Sequence, residues 1–369
     1  MSEVGQRTAA AVVSSAGADF VLRDVELDEP GPGEVLVRVE ATGMCHADLA
    51  ARDGDFPFPL PGVVGHEGAG VVERVGEGVV SLRPGQRVML TFDSCGHCAA
   101  CVAGIPSQCA EFLPRNFTNG PENLTLDGRR LHGGFFGQSS FAGHALSTVR
   151  NTVAVPDAAA DLPAEVLAPL GCGIQTGAGA VLNVLKPVAG GKIAVFGAGV
   201  VGLSAVMAAA LLPLSEIVVI DVHESRLDLA RKLGATQVIN ARSADPVAAL
   251  KDLTGGGPGY VVESSGVPAV FVQALKSLRI GGSAAIVGVP PFGVTAPVDV
   301  ADIVNDSKRV FGVVEGESNP PVFLPLLAEM VADGRMPVGE LVETFALADV
   351  EKAADAMKSG RVVKPVVIP

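Results

Sequence analysis

Four of the six cysteines of the chain form a group whose spacing suits metal ligation. Cys95, Cys98, Cys101 and Cys109 form C-x2-C-x2-C-x7-C within CGHCAACVAGIPSQC. Spacers this short let four thiolates converge on one tetrahedral ion, with Zn–S near 2.3 Å in such sites. Four thiolates on Zn²⁺ leave about two net negative charges and no open position, which suits bracing a lobe and not chemistry. Iron–sulfur clusters also use short C-x2-C steps, but with other overall spacings. Disulfides need an oxidising compartment, and the opening MSEVGQRTAAAVVSSAGADF has neither the apolar core nor the cleavage site of a leader. The expectation is a structural zinc in a cytoplasmic protein.

A second pattern points to a dinucleotide. In KIAVFGAGVVGLSAVMAAALL, Gly197, Gly199 and Gly202 form G-x-G-x-x-G, with Val200 and Val201 between the last two, after an apolar strand and before a helical run. There Gly197 makes the tight turn, Gly199 lets backbone approach a pyrophosphate, and Gly202 lets helix and strand pack closely. A second strand, EIVVID, ends at Asp221, nineteen residues beyond Gly202, close to the distance at which an acid reaches the adenosine ribose. A carboxylate there accepts from the 2′-OH and repels a 2′-phosphate, so NAD is expected over NADP. Arg226 either covers the ribose edge or is a solvated helix charge.

These residues need elements to hold them. From about residue 8 to 150 the text is short alternating strands, such as Glu34 to Glu40 and Ala69 to Val75, punctuated by Gly and Pro turns. From about Gly173 to Val314 strands alternate with helical segments, which implies parallel β-α-β units. The tail carries expected helices at Val322 to Asp333 and Leu347 to Ser359 and a strand at Val362 to Ile368, able to return to the first lobe. The apolar run Ile193 to Val222 is divided by its glycines and by Pro213, Ser215 and Glu216 into strand, helix and strand, each too short to span a bilayer. With 369 residues, two domains have ample core. Tyr260 is the only tyrosine and Trp is absent, so the interior is aliphatic. A formal charge of −13 without a basic run excludes nucleic acid as a partner.

The remaining cysteines lie in GMCHADL around Cys45 and PLGCGIQTGAG around Cys172, with VVGHEGAG around His66 between them. Together with the four-cysteine lobe and the glycine loop, these segments resemble the zinc-dependent medium-chain alcohol dehydrogenases over essentially the whole length. FFGQSSFA at Phe135 to Ala142, GCGIQTGAG at Gly171 to Gly179 and VVESSGVPAV at Val261 to Val270 are similar to the aryl-alcohol and benzyl-alcohol subgroup. The resemblance implies an α/β protein: a GroES-like β-rich catalytic domain at 1–173 and 315–369, and a Rossmann NAD-binding domain with a doubly wound parallel sheet at 174–314. Substrate and nicotinamide would share the cleft between them.

By the same resemblance Cys45, His66 and Cys172 are catalytic zinc ligands and Glu67 is an acid behind the metal, able to bind it transiently. Two thiolates and a neutral imidazole balance Zn²⁺ and leave a fourth position, a set on record for alcohol dehydrogenases. Asp48 matches the carboxylate that orients the ligand imidazole. His46 and Lys364 match basic residues on the cofactor pyrophosphate. His97, His132, His144 and His223 have no such match and are read as ordinary polar positions. Two zinc ions per chain and NAD follow, with zinc-assisted hydride transfer between an alcohol and its aldehyde as the reaction. Phe92, Phe135 and Val289 fall near pocket positions that would favour a flat aromatic or allylic alcohol.

One feature departs from the family. A Ser or Thr and then a His usually carry the alcohol proton outward, and this chain has Ala47 and Ala50 in their places. A water chain or His46 would then carry the proton. Alternatively the enzyme is slow at neutral pH, or it is an NADH-dependent reductase of an iminium or conjugated C=C acceptor. A zinc-braced NAD(H)-binding redox sensor without turnover is the reading from another class. The family forms homodimers and homotetramers, and the span from Cys109 to Gly137 is long enough for a loop associated with dimers.

Overall fold

The structure, a computed structural model, describes residues 5–291 and 293–369. The chain separates into two compact units, one of Met1–Cys172, Asn319–Gly334 and Val338–Pro369, the other of Gly173–Ser318 and Arg335–Pro337. The boundaries expected from sequence lie one residue from the first crossing and four from the second.

The first unit is built on two largely antiparallel sheets. In the larger, the spatial order is Thr152–Ala154, Arg87–Leu90, Glu67–Val75, Glu34–Gly43, Lys364–Ile368, Val342–Ala346, with His144–Thr148 also paired to Glu34–Gly43. Glu34–Gly43 runs through its middle, with Val35, Leu36, Val37 and Val39 all buried, as β-branched and leucine side chains on a doubly covered strand should be. The register sets Gly43 opposite Glu67 on one side and opposite Val366 on the other. Cys45, His66 and Lys364 are each within two residues of that rung, so strand pairing alone draws three distant parts of the chain together. The smaller sheet, in the order Gly62–Val63, Gln6–Val13, Val21–Leu27, Leu124–Leu126, Arg129–Leu131, closes over a core containing Phe20, Phe58, Phe92, Phe135, Phe136 and Phe141. The interior expected to be aliphatic is thus partly aromatic in this unit, with phenylalanine in place of the missing Trp and Tyr.

The tail returns to this unit. The helix Pro320–Ala332 starts two residues before its expected position, because proline suits the first turn, where no N–H partner is required. The segment expected as one helix at Leu347 to Ser359 is a 3₁₀ turn at Leu347–Asp349 followed by a helix at Val350–Lys358.

The second unit is a six-stranded parallel sheet in the order Gln237–Asn240, Glu216–Asp221, Lys192–Phe196, Tyr260–Glu263, Ser283–Ile286, Arg309–Gly312. Numbered along the chain this is 3-2-1-4-5-6, the doubly wound order whose strand reversal lies beside the first strand. Ile193 to Phe196 and Ile217 to Ile220 are buried throughout, as strands covered on both faces require. The helix Val200–Ala210 follows the first strand and buries eight of its eleven residues. Among the described residues no helix is long and apolar enough to cross a membrane.

Candidate active site

In the first unit, Cys45, His66, Glu67 and Cys172 each present a ligand atom within 4.8 Å of the others. Three local devices bring them there. Cys45 precedes the helix His46–Asp53, and Asp48 in its first turn accepts the Cys45 N–H on Oδ2 at 2.8 Å, an arrangement in which a side chain satisfies an otherwise orphaned helix N-terminus. His66 stands at the start of Glu67–Val75, and its Nδ1–H donates to Asp48 Oδ1 at 2.7 Å, an oxygen that also accepts Gly65 N–H at 3.0 Å. Cys172 follows the turn Ala168–Gly171, whose Gly171 lies so close to Leu90 that a Cβ would overlap the Leu90 carbonyl oxygen. Thr91 Oγ donates to the Gly171 carbonyl at 2.7 Å and holds that turn down.

The donor set fits zinc. His66 is fully enclosed and its Nε2 has no hydrogen-bond partner among the described residues, although buried polar atoms are ordinarily paired. With Nδ1–H given to Asp48, Nε2 is the ring atom left for the cysteines, and it offers a lone pair once its proton is displaced. Cys172, as hydrogen-bond partner, holds the Cys45 thiol well below the ordinary thiol range, with His66 and Lys364 adding to it against the opposing effect of burial. Burial works against a charged His66 ring, yet the Asp48 carboxylate and Cys45 outweigh it and raise its pKa well above the ordinary value. A proton held between a carboxylate and a thiolate is one that a divalent cation displaces.

Behind these ligands is a buried ion pair. Lys364 Nζ donates to Glu67 Oε2 at 2.7 Å, to Oε1 at 2.9 Å and to the Met44 carbonyl at 2.9 Å, with both side chains fully enclosed. Burial raises the Glu67 pKa despite the lysine. It works against the Lys364 ammonium, but the charges of Glu67 and Cys45 prevail and raise that pKa too. Lys364 was expected on a pyrophosphate; here its ammonium is enclosed and committed to Glu67 and Met44. His46 is exposed at the helix start, Ala47 is half-buried against the phenylalanine core, and Ala50 is buried.

Phenylalanines surround the His66 ring. Phe136 stacks on it at 4.4 Å between centroids and Phe135 meets it edge-on at 5.4 Å. Phe117 packs on Phe136 at 4.9 Å, with Phe56 and Phe112 beyond it. Phe92 and Phe135 are enclosed, whereas Phe56, Phe112 and Phe117, not singled out in the sequence, are partly exposed. Gln138 was also passed over. Its amide donates to the carbonyls of His66 at 2.9 Å and Thr91 at 3.0 Å and accepts Gly68 N–H at 3.0 Å, joining the strands that carry the site. Its signal lay in FFGQSSFA, where a lone amide interrupts an otherwise apolar and hydroxyl-bearing run.

Cys95, Cys98, Cys101 and Cys109 form a second group within 4.8 Å. Cys95 N–H and Glu111 N–H point at Cys109 Sγ at 3.3 and 3.4 Å, and Cys98 N–H at Cys95 Sγ at 3.4 Å. Backbone donors from Ala110 and Cys101 lower the Cys98 pKa to about 6, while burial of Cys101 pushes its pKa up to about 12. Backbone N–H groups directed at several sulfurs at once suit thiolates that share one cation.

In the second unit, Gly197 has φ +92° and a Cβ on Gly202 would overlap the Gly197 carbonyl oxygen, whereas a Cβ on Gly199 would meet nothing within 4 Å. The loop is therefore packed on its inner side and open at Gly199, which precedes the helix containing Val200 and Val201. Backbone free of side chain at a helix N-terminus fits a phosphate. Asp221 accepts Ala198 N–H on Oδ2 at 2.7 Å and the N–H groups of Val222 and His223 on Oδ1 at 2.7 and 2.8 Å. Arg226, in the helix Glu224–Lys232, is half-buried with an enclosed Nε that has no hydrogen-bond partner among the described residues. Val289, expected in a substrate pocket, is 66% exposed in this unit.

Residues 31–157 match the family model of the alcohol dehydrogenase GroES-like domain and residues 200–331 that of zinc-binding dehydrogenase. A geraniol dehydrogenase of Castellaniella defragrans is 40% identical over 365 residues, 97% of each chain. The crystal structure of a benzyl alcohol dehydrogenase from Acinetobacter calcoaceticus superposes with a TM-score of 0.94 at 44% identity, covering 98% of this chain and 99% of that one. A putative zinc-binding dehydrogenase from Sinorhizobium meliloti, bound to NADP, superposes with a TM-score of 0.80 at 28% identity over 99% of this chain and 100% of that one. The two units are thus a GroES-like domain and a Rossmann domain.

Proposed function

The chain belongs to the zinc-dependent medium-chain alcohol dehydrogenase family, and on that premise we propose that it passes hydride between a primary aryl or allylic alcohol and NAD, giving the aldehyde, and runs the reverse. The observation that carries this reading is the convergence of Cys45, Cys172 and the unpartnered His66 Nε2 beside a cluster of phenylalanine rings. Cys45, His66 and Cys172 would hold one zinc, and Cys95, Cys98, Cys101 and Cys109 a second. When bound, the first zinc supplies the Lewis acidity that eases loss of an alcohol proton, and the nicotinamide accepts the hydride.

The chain's own residues do the rest. Asp48 fixes the imidazole tautomer and the Cys45 backbone together. Lys364 holds Glu67 away from solvent as an ion pair behind the ligands, with the carboxylate within reach of the same ion. Phe56, Phe112 and Phe117 offer rings for flat apolar contact and displace water. Geraniol is an allylic alcohol and benzyl alcohol a benzylic one, so the relatives' names support substrates whose hydroxyl stands one carbon from a π system. Asp221 supports NAD, because a second negative charge at the ribose would meet its carboxylate. A homodimer or homotetramer is part of the proposal.

Ala47 and Ala50 can neither give nor take a proton, so we assign its passage to water or to the exposed His46. The same alanines favour a second reading, NADH-dependent reduction of an iminium or a conjugated C=C bond. Ranking kcat/KM for benzyl, cinnamyl, geranyl and short aliphatic alcohols with NAD and NADP, and for an iminium and an enal with NADH, separates the two. Alcohols as the best substrates and two zinc ions per chain are expected; an iminium or enal preferred a hundredfold over every alcohol and aldehyde would overturn the first reading. Ala47→Ser is expected to change alcohol oxidation little, and a hundredfold gain would show that the native site has no working proton path.

A further inference from the structure

His97 sits in the turn between Cys95 and Cys98, and Glu111 lies two residues past Cys109. Cys95, His97 and Glu111 each bring a ligand atom within 4.8 Å of the others, so this group shares one sulfur with the four-cysteine site. The Cys95 carbonyl, an acceptor only, lies 3.0 Å from His97 Nδ1 and requires that nitrogen to carry the proton. This is how imidazoles are set for metal binding, with the other nitrogen left as a lone pair. That nitrogen, Nε2, faces Glu111 Oε1 at 3.4 Å. Two acceptors at that separation repel unless a proton or a cation lies between them. The second Glu111 oxygen accepts from Arg115 Nε at 2.9 Å, which keeps the carboxylate aimed.

Exposure gives the group its direction. Cys95 and Cys109 are buried and Cys98 and Cys101 half-buried, whereas the His97 and Glu111 side chains are 72% and 42% exposed. An ion arriving from water meets imidazole and carboxylate before it meets the buried Cys95.

We propose that Cys95, His97 and Glu111 are an entry half-site through which Zn²⁺ passes into and out of the four-cysteine site, an inference that rests on reading that site as zinc-binding. One thiolate, one imidazole and one carboxylate neutralise Zn²⁺ and leave a position for water. The ion keeps its bond to Cys95 throughout. The bonds to His97 Nε2, Glu111 and water break as bonds to Cys98, Cys101 and Cys109 form. A cysteine that enters as a thiol gives its proton to the departing imidazole or to water, and one that enters as a thiolate releases none. Zn²⁺ has no electronic preference among geometries, so ligands exchange singly without a strained intermediate.

The test is the exchange of bound zinc for an enriched zinc isotope in the holoenzyme, followed by native mass spectrometry, with Cys45→Ser used to identify the phase that belongs to the lobe. His97→Ala and Glu111→Gln are each expected to slow that phase about tenfold, a rise of about 1.4 kcal/mol in the barrier, with zinc content and the other phase unchanged. Lobe exchange as fast as wild type in both variants would overturn the proposal. So would loss of the lobe zinc at equilibrium in both, because the two residues would then be permanent supports and not a route. A wild-type chain without zinc in the lobe would sink the underlying reading of the four cysteines, and this inference with it.

Discussion

With Oδ1 shared by the His66 ring and Gly65 N–H, and Oδ2 taken by Cys45 N–H, the Asp48 carboxylate ties two ligand-bearing segments to one buried charge. Asp48→Asn keeps the shape but removes the charge and leaves one position as a donor facing N–H. Zinc affinity at this site is expected to fall about 10- to 100-fold, read by competition with a chromogenic chelator, and an unchanged affinity would remove Asp48 from the metal's support. The pH dependence has a definite sign. Because the His66 pKa is raised in the metal-free site, zinc must displace a proton from the ring at any pH below that value. Affinity therefore weakens as pH falls through and below the raised pKa, because the ring then adds one more proton to those the metal must displace. The lowered Cys45 adds no further proton over the upper part of that range. Asp48 was legible in GMCHADL only through family resemblance, since nothing local shows that a helix residue eighteen positions before His66 will touch it.

At the scale of elements, Asp221 joins two loops. It closes the strand Glu216–Asp221, yet Oδ2 accepts from Ala198 inside the glycine loop and Oδ1 caps the turn at Val222 and His223. Its spacing from Gly202 leads to the expectation of a ribose partner; the bonds to three backbone donors are not legible in the sequence, because they depend on parallel pairing of the two strands. Asp221→Asn retains an acceptor for part of that network while removing the charge that, on the proposed reading, opposes a 2′-phosphate. The ratio of kcat/KM for NAD to that for NADP is expected to drop at least tenfold, about 1.4 kcal/mol. A constant ratio in a folded variant would assign discrimination elsewhere, with Arg226 next to examine. Helix starts follow the same lesson: prolines at Pro320 and Pro321 move the tail helix earlier than its apolar pattern alone suggests.

The whole molecule adds two constraints that no single element carries. The last strand, Lys364–Ile368, enters the sheet beside Glu34–Gly43, and its first residue delivers an ammonium to Glu67. Lys364→Met strands a buried carboxylate and is expected to cost about 3–5 kcal/mol in urea unfolding; a cost below about 1 kcal/mol would show that Glu67 is not left charged and unpaired, by protonation or by rearrangement. At the other end of the chain's topology, Arg309–Gly312 is the outer strand of the Rossmann sheet, exposed along its length, with Val310 and Phe311 among its side chains. An unprotected apolar edge invites pairing with another copy. If the chain forms the proposed homodimer or homotetramer through this edge, Phe311→Lys lowers its mass in light scattering; a multimeric wild type whose mass the substitution leaves unchanged would place the subunit contact elsewhere.

The sequence by itself determined the four-cysteine lobe, the glycine loop with its acid nineteen residues on, and the change from alternating strands to β-α-β units. Each is written in short spacings or in a local period, and a metal or a phosphate imposes those spacings on neighbouring residues. Tertiary structure alone decided that Gln138 would link the strands of His66 and Thr91, that Lys364 would turn inward to Glu67, and that Phe117 and Phe136 would wall the His66 ring. These contacts join residues tens to hundreds of positions apart. The register of the central strand with Glu67 and Val366 sets the Lys364–Glu67 pair, and that register exists only once the sheet has formed.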